Sequence, residues 1–276
     1  MLVRRCRVNR NWARCFFLIA LGVGHLVPAK PAVADVITWQ SAQAITGDLD
    51  VDTTGTLVYA YNFGPDSGAG QVQSATVGGV NFAAFAAPLI QSSVQTITVG
   101  NATLSETPGE LNGIETSANS GAFASLSAPY KNLLGTAIVA SYYATMTLSL
   151  GGLDAGKTYR IQTWVNDSNY DINQYNRVQA DGGGNTTELK ANLADAVGGL
   201  GQYVIGTFTA TGNTQDISFV GLTDINGLTQ ATKNPIINAF QLRLESSSQV
   251  PEPASMVFCG LGTLCIVYFA RRRVMV

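Results

Sequence analysis

Short runs of alternating apolar and polar residues, separated by glycine or asparagine, recur along the middle of the chain. Because the side chains of a β-strand point alternately to its two faces, this alternation predicts strands. Residues 158–165 show it best, with Tyr159, Ile161, Thr163 and Val165 on one face. The same pattern predicts strands over residues 56–63, 94–99, 141–150, 202–209, 216–220 and 238–244.

About nine or ten such strands with long connections predict an all-β fold. We expect a two-sheet sandwich of the jelly-roll type, formed as one domain by residues 35–245. In the last strand Phe240, Leu242 and Leu244 are predicted to face inward, and Gln241 and Arg243 outward. Asn185 followed by Glu188 resembles a capping box and suggests one short helix, ended by Gly198 and Gly199.

The first 34 residues have the three parts of a secretory signal peptide. Five arginines precede a short apolar stretch, and the small residues Ala32 and Ala34 end it. We expect signal peptidase to cleave there, so that the mature chain begins near Asp35. A buried N-terminal helix is the alternative, but it would leave five arginines without a carboxylate nearby.

The other end has the reverse layout. After a polar spacer come Val250, Pro251, Glu252 and Pro253, then an apolar run over residues 254–270. A helix of that length reaches about 25 Å, slightly less than the hydrocarbon core of a bilayer. The run ends at Arg271, Arg272 and Arg273, which predicts a membrane-anchored precursor with residues 35–250 outside the cytoplasm.

This order of Pro-Glu-Pro, apolar helix and arginine cluster resembles the PEP-CTERM sorting signal of bacterial exported proteins. The resemblance covers residues 246–276 and implies processing by an exosortase near the Pro-Glu-Pro. It implies a final location at the cell surface or outside the cell, often in species that make exopolysaccharide. An ordinary C-terminal anchor would explain the helix and the arginines, but not Pro251, Glu252 and Pro253.

The chain between the two ends is acidic. From residue 35 to residue 249, seven Lys or Arg against seventeen Asp or Glu leave a net charge of −10. Such a charge argues against nucleic acid as a partner. It is compatible with solubility outside the cell and with calcium binding.

The same segment contains neither cysteine nor histidine, because all four cysteines and the one histidine lie in the two ends. Disulfides, Ser-His-Asp and Cys-His nucleophile systems and Cys/His zinc sites are therefore excluded from it. Paired carboxylates for glycoside hydrolysis need no histidine. Glu106, Glu110 and Glu115, or Asp167 and Asp171, are candidates for such a pair.

The most polar stretch follows the strand that ends at residue 165 and contains a possible glycan-binding set: Trp164, Asn166, Asp167, Tyr170 and Tyr175. Aromatic rings can stack on sugars, and amide and carboxylate groups can pair with their hydroxyls. The alternative, which we favour, is a solvated surface loop with Trp164 packed beneath it.

Asp48, Asp50 and Asp52 alternate, so that in a strand all three carboxylates would share one face and could hold calcium. They do not fit an EF-hand, because Thr53 stands where that loop needs glycine. A solvated acidic edge is the alternative that we favour. No other cofactor is expected.

Residues 151–244 resemble, loosely, the second half of carbohydrate-binding jelly-roll modules, but no ligand residue can be carried over. The sequence thus favours a non-enzymatic surface or extracellular-matrix protein that contacts polysaccharide or other envelope proteins. The alternative is an extracellular glycan-degrading enzyme that uses paired carboxylates.

Overall fold

A computed structural model describes residues 35–246, except residues 69, 90–93, 170–176 and 226–227. The chain divides into two units, Met1–Pro31 and Ala32–Val276, and all described residues belong to the second. The predicted signal peptide and the sorting signal from residue 247 onward therefore lie outside the described residues. Within the described ranges, no helix has the length and apolar character needed to cross a membrane.

Strands are the predominant regular structure of the described chain, as the alternation predicts. Its strands, in chain order, are β1 (Thr38–Trp39), β2 (Gln43–Ala44), β3 (Thr56–Pro65), β4 (Ala75–Val77), β5 (Val80–Ala87), β6 (Thr96–Val99), β7 (Ala102–Thr107), β8 (Asn112–Glu115), β9 (Thr136–Val139), β10 (Thr145–Gly151), β11 (Thr158–Val165), β12 (Arg177–Gly182), β13 (Asn185–Lys190), β14 (Gln202–Thr209), β15 (Thr214–Ile225), β16 (Leu228–Lys233), β17 (Ile236–Ile237) and β18 (Ala239–Leu244). Two short helices, α1 (Gly121–Ala124) and α2 (Ala128–Leu134), lie between β8 and β9, and a 3-10 helix covers Asp48–Asp50.

Two large sheets and one small sheet contain these strands. The first has the order β1-β14-β11-β18-β3-β5-β4, with β2 also paired to β14. The second has the order β13-β12-β15-β10-β7-β6, with β16 also paired to β15. The small sheet, β17-β9-β8, is antiparallel, and so are the large sheets except for the parallel pair β3 and β5. The prediction of an all-β fold is confirmed.

The main hydrophobic core lies between the two large sheets. Aromatic side chains from β3, β5 and β18 pack at its centre, where Phe63 contacts Phe85 edge-on at 4.9 Å and stacks with Phe240 at 5.5 Å between ring centroids. Leu148 and Phe219 contribute from the second sheet, and both are fully buried. Burial of this apolar surface is the principal force that holds the sheets together.

A second core covers the opposite face of the first sheet. Trp164, Phe82 and Tyr130 are its largest side chains, and the chain before β3 contributes Ile45 and Val51. The central strands of the first sheet are therefore buried on both faces. This arrangement explains why their outward-facing positions carry large or hydrogen-bonded side chains.

The prediction that Gln241 and Arg243 face solvent is wrong, because both are buried beneath the segment that precedes β3. The Arg243 guanidinium donates to the carbonyls of Thr53, Thr54 and Gly55 at 2.9 to 3.0 Å. A buried guanidinium needs such acceptors, and the segment's carbonyls need donors. These two side chains thus hold the covering segment on the sheet.

The predicted helix after Asn185 is also wrong, since Asn185–Lys190 is strand β13, paired with β12. Gly183 and Gly184 both have positive φ, 64° and 88°, as a two-residue hairpin turn requires. The turn places Asn185 opposite Gly182, and hairpin pairing outweighs the weak capping pattern. Helix α2 was not predicted, although Ser127 caps it by accepting from the Tyr130 N–H and Pro129 lies in its first turn.

Candidate binding site

Trp164 does not form part of a surface site. Its side chain is fully buried, and its Nε1 donates to Oη of Tyr130 at 3.0 Å. The Phe82 ring meets the indole edge-on, with 5.5 Å between ring centroids. A buried indole has no face free for a sugar ring, so Trp164 belongs to the second core, as in the alternative that the sequence favours.

The next residues of the predicted glycan-binding set are buried too. Asn166 accepts from the Gly201 N–H at 2.9 Å, and its Nδ2 donates to Ser168 and to the Leu134 carbonyl. Asp167 is 6% exposed. Asn166 therefore ties together three chain segments, while Tyr170 and Tyr175 lie outside the described residues.

The three aspartates of the predicted calcium site point to different partners. Asp50 accepts from the Thr46 hydroxyl at 2.6 Å and from the Tyr130 hydroxyl at 3.0 Å. Asp48 accepts from Ser127 at 2.6 Å, and Asp52 pairs with Arg160 at 3.3 Å. The prediction assumed a strand, but the 3-10 helix turns successive side chains by about 120° and separates the carboxylates.

Among the described residues, no group of three or more carboxylates, histidines or cysteines is placed to hold a metal ion. Each of the three aspartates has instead a hydrogen-bonded or ion-paired role in holding the segment before β3. Calcium binding by this protein stays a prediction, and these residues are positioned for structural roles.

A polar cleft of about 510 Å³ opens beside α2. It is formed by the loop between β3 and β4, the end of β8 with the loop that follows, and the exposed side of α2. The polar side chains that line it are Gln71, Gln73, Glu115, Ser117, Asn119, Lys131 and Asn132.

Buried hydrogen bonds fix the three walls of this cleft relative to each other. The Asn62 side chain, fully buried in β3, donates to the carbonyls of Gln73 and Asn132 at 2.8 and 3.1 Å. The Thr136 hydroxyl donates to the Phe63 carbonyl at 2.7 Å and holds the start of β9 against β3. The cleft is therefore built on the frame of the sandwich rather than on independent loops.

The cleft presents amides that the protein itself does not use. Within the described ranges, the side chains of Gln71, Asn119 and Asn132 make no hydrogen bond. Glu115 accepts from Ser117 at 2.6 Å, and the Lys131 ammonium donates to the Ala124 carbonyl at 3.4 Å. The cleft thus offers donors, acceptors and one charge of each sign to a polar ligand.

Of the glutamates considered for hydrolysis, Glu110 lies close to Glu106, whereas Glu115 lies apart from both. Glu106 is buried, accepts from the Ser141 N–H at 2.8 Å, and its pKa is raised because burial disfavours the charged form. The Glu110 N–H donates to the Ser141 hydroxyl at 3.1 Å. Glu115 lines the cleft at the far end of β8, and Asp171 lies outside the described residues.

Sequence reasoning missed the cleft because its residues come from separate segments and form no motif. Exposed amides such as Asn119 and Asn132 are common in loops and on helix surfaces. These residues come together only through contacts between β3, β8 and α2, and no local sequence pattern indicates those contacts.

Comparison with known proteins identifies the C-terminal segment. Residues 249–273 match the PEP-CTERM protein-sorting motif, which confirms the prediction from Pro251, Glu252, Pro253 and the arginine cluster. This motif implies an exported protein that an exosortase sorts to the cell envelope or surface. No curated protein matches the chain in sequence.

Solved structures that match this chain include two plant proteins. The ANXUR1 extracellular domain from Arabidopsis thaliana has 12% sequence identity and a TM-score of 0.43, over 75% of this chain and 54% of its own. The plant receptor-like kinase FER has 13% identity and a TM-score of 0.41, over 71% of this chain and 54% of its own. This chain thus spans about half the length of either protein.

Proposed function

We propose that the exported domain is a non-enzymatic binding domain of the bacterial surface or extracellular matrix, and that it binds polysaccharide in the polar cleft. The observation that carries the proposal is the set of unused amides of Gln71, Asn119 and Asn132 in a cleft fixed by buried hydrogen bonds. Sugar hydroxyls both donate and accept, and a side-chain amide offers both functions. The cleft therefore suits a ligand rich in hydroxyl groups.

The charge of the domain narrows the ligand class. With a net charge of −10 between residues 35 and 249, a strongly anionic polymer would be repelled. The cleft itself contains one carboxylate and one ammonium, Glu115 and Lys131, and these nearly cancel. A neutral polysaccharide is the ligand that these charges favour.

The sorting steps give the proposed order of partners. Signal peptidase removes residues 1–34, the apolar run after Pro253 holds the precursor in the membrane, and an exosortase cuts near the Pro-Glu-Pro. The domain then acts at the cell surface or outside the cell. Its closer assignment as a jelly roll, and contacts with other envelope proteins, belong to the same proposal.

Alanine substitutions of two cleft amides test the proposal. Retardation of the full-length chain, solubilised in mild detergent, is measured in native gels that contain hydroxyethyl cellulose, dextran or galactomannan. Loss of two hydrogen bonds worth about 1 kcal/mol each predicts that N119A/N132A binds roughly 30-fold more weakly. N81A removes an exposed amide on β5, away from the cleft, and should bind like wild type.

The melting temperature of each variant shows whether a loss of binding reflects unfolding. Equal retardation of wild type, N119A/N132A and N81A would remove the cleft from the binding site. Failure of the wild-type chain to bind any of the three polymers would contradict the proposed function itself.

A further inference from the structure

Two adjacent tyrosines form an exposed aromatic patch between β9 and β10. Tyr142 is 49% exposed and Tyr143 is 71% exposed, and their ring centroids lie 6.4 Å apart at an interplanar angle of 44°. No other aromatic side chain in the described ranges is exposed. Exposed apolar patches rimmed by polar residues occur at ligand-binding sites.

Side-chain hydrogen bonds hold the loop that carries these tyrosines at the two residues that precede them. The Ser141 N–H donates to the buried Glu106 carboxylate at 2.8 Å, and the Ser141 hydroxyl accepts from the Glu110 N–H at 3.1 Å. The Asn234 side chain donates to the Ala140 carbonyl at 2.6 Å. Both rings are therefore presented by a backbone that is already ordered before any ligand arrives.

Tyr143 also adopts a backbone conformation that is unfavourable for tyrosine. Its φ of 62° lies in the left-handed region, where glycine and asparagine are at ease and a bulky aromatic residue is not. The surrounding hydrogen bonds hold it there. An exposed tyrosine at such a position gains nothing from packing, so its ring is the feature that requires explanation.

The tyrosines lie at the end of the domain away from Ser246, the last described residue. Strand β10 starts directly after the loop and runs seven residues to Gly151, about 23 Å at roughly 3.3 Å per residue. At that far end the Glu245 N–H donates to the Thr158 carbonyl. Glu245 is the residue before Ser246. Ser246 thus lies at the opposite end of the domain from the tyrosine loop.

The polar cleft and the tyrosines lie at the two ends of one ladder. Strands β8 and β9 pair over four residues, from Glu115 with Thr136 at the cleft to Asn112 with Val139 near the tyrosine loop. The first and last pairs are about 10 Å apart. A disaccharide is no longer than the ladder itself, so only a polymer several sugars long reaches from the cleft beyond Val139 to the tyrosines.

We infer that Tyr142 and Tyr143 are an aromatic stacking site for the same neutral polysaccharide, separate from the polar cleft. This inference rests on the proposed function. Each phenol ring offers an apolar face on which a sugar ring can stack. The two sites together select a chain of several sugars over a short oligosaccharide.

The inference is tested by the chain-length dependence of binding to the full-length protein in mild detergent. The probes are hydroxyethyl cellulose, dextran and galactomannan, each with its oligosaccharides of two to eight sugars, measured by calorimetry. Y142A/Y143A should bind long chains roughly ten-fold more weakly and leave binding of two-sugar fragments unchanged. N119A/N132A should weaken both.

Matched variants show whether the rings themselves act. Y143F keeps the ring and should bind like wild type, while L49A removes an exposed leucine that is 99% exposed on the segment before β3 and should have no effect. Unchanged binding of long chains by Y142A/Y143A, together with weaker binding by N119A/N132A, overturns the stacking site and leaves the proposed function standing. An equal loss for long and short fragments in Y142A/Y143A also overturns it.

Discussion

Substitution of Trp164 and Tyr130 tests the second core, which the sequence alone leaves uncertain. Trp164 Nε1 donates to the Tyr130 hydroxyl at 3.0 Å, and that hydroxyl donates to Asp50 at 3.0 Å. All three side chains are buried. The chain of hydrogen bonds therefore joins β11 and α2 to the segment that precedes β3.

The expected magnitudes follow from burial. W164A removes a fully buried indole and should lower the free energy of unfolding by about 3 to 5 kcal/mol. Y130F leaves the ring in place but deprives the indole N–H of its acceptor and Asp50 of a donor. Because two buried polar groups each lose a partner, we expect the free energy of unfolding to fall by about 2 to 4 kcal/mol.

A double-mutant cycle isolates the hydrogen bond between the two residues. W164F and Y130F remove the same interaction, so that the double variant should be less destabilised than the sum by about 1 kcal/mol. Urea unfolding is followed by far-UV circular dichroism, since Trp164 is itself a fluorescent reporter. Y143F, an exposed tyrosine, serves as the control and should change stability by less than about 0.5 kcal/mol.

The opposite result for W164A would refute the burial of Trp164. A loss of stability below about 1 kcal/mol combined with weaker retention on polysaccharide would place the indole on the surface, as a stacking residue. Additivity of W164F and Y130F would show that the Nε1 to Oη hydrogen bond contributes nothing measurable.

Three further predictions concern pH, sorting and metal. Burial raises the pKa of Glu106 from 4.5, so the stability that Glu106 contributes is full below pH 4.5 and is lost as the pH rises through the raised pKa. Urea unfolding of E106Q should lack this loss. If the free energy of unfolding of wild type and E106Q changes with pH in the same way, the prediction is wrong. Replacing Pro251, Glu252 and Pro253 with alanine should leave an uncut, membrane-retained chain on immunoblots of exosortase-containing cells, whereas normal maturation would argue against recognition of that site. If the domain binds calcium, millimolar calcium should raise its melting temperature, and an equal rise with magnesium or monovalent salt would reduce this to screening.

Strands were predictable where one local pattern decided their position. Residues 158–165 and 202–209 form β11 and β14 with the predicted bounds. The burial of their second face was not predictable in the same way. It depends on the segment before β3, which lies more than a hundred residues away in sequence from Gln162 and still accepts its side-chain hydrogen bond at Asp50.

Site residues were harder to predict, because a residue type that suits a binding site can equally be buried in the core. Trp164, beside a run of amides, has the composition of a sugar site, yet its neighbours Tyr130 and Phe82 make it a core residue. Tyr142 and Tyr143 have no polar run beside them and are exposed. The C-terminal motif was predictable, since the order of Pro-Glu-Pro, apolar run and arginines depends on sequence alone.

We propose that the exported domain holds polysaccharide without cutting it. The most direct measurement follows retention of the full-length chain on hydroxyethyl cellulose, dextran and galactomannan, together with the reducing ends released over the same hours. We expect retention of wild type on at least one polymer, weaker retention of N119A/N132A, and no release of reducing ends. Release by wild type that E106Q or E115Q abolishes would contradict it and establish a hydrolase.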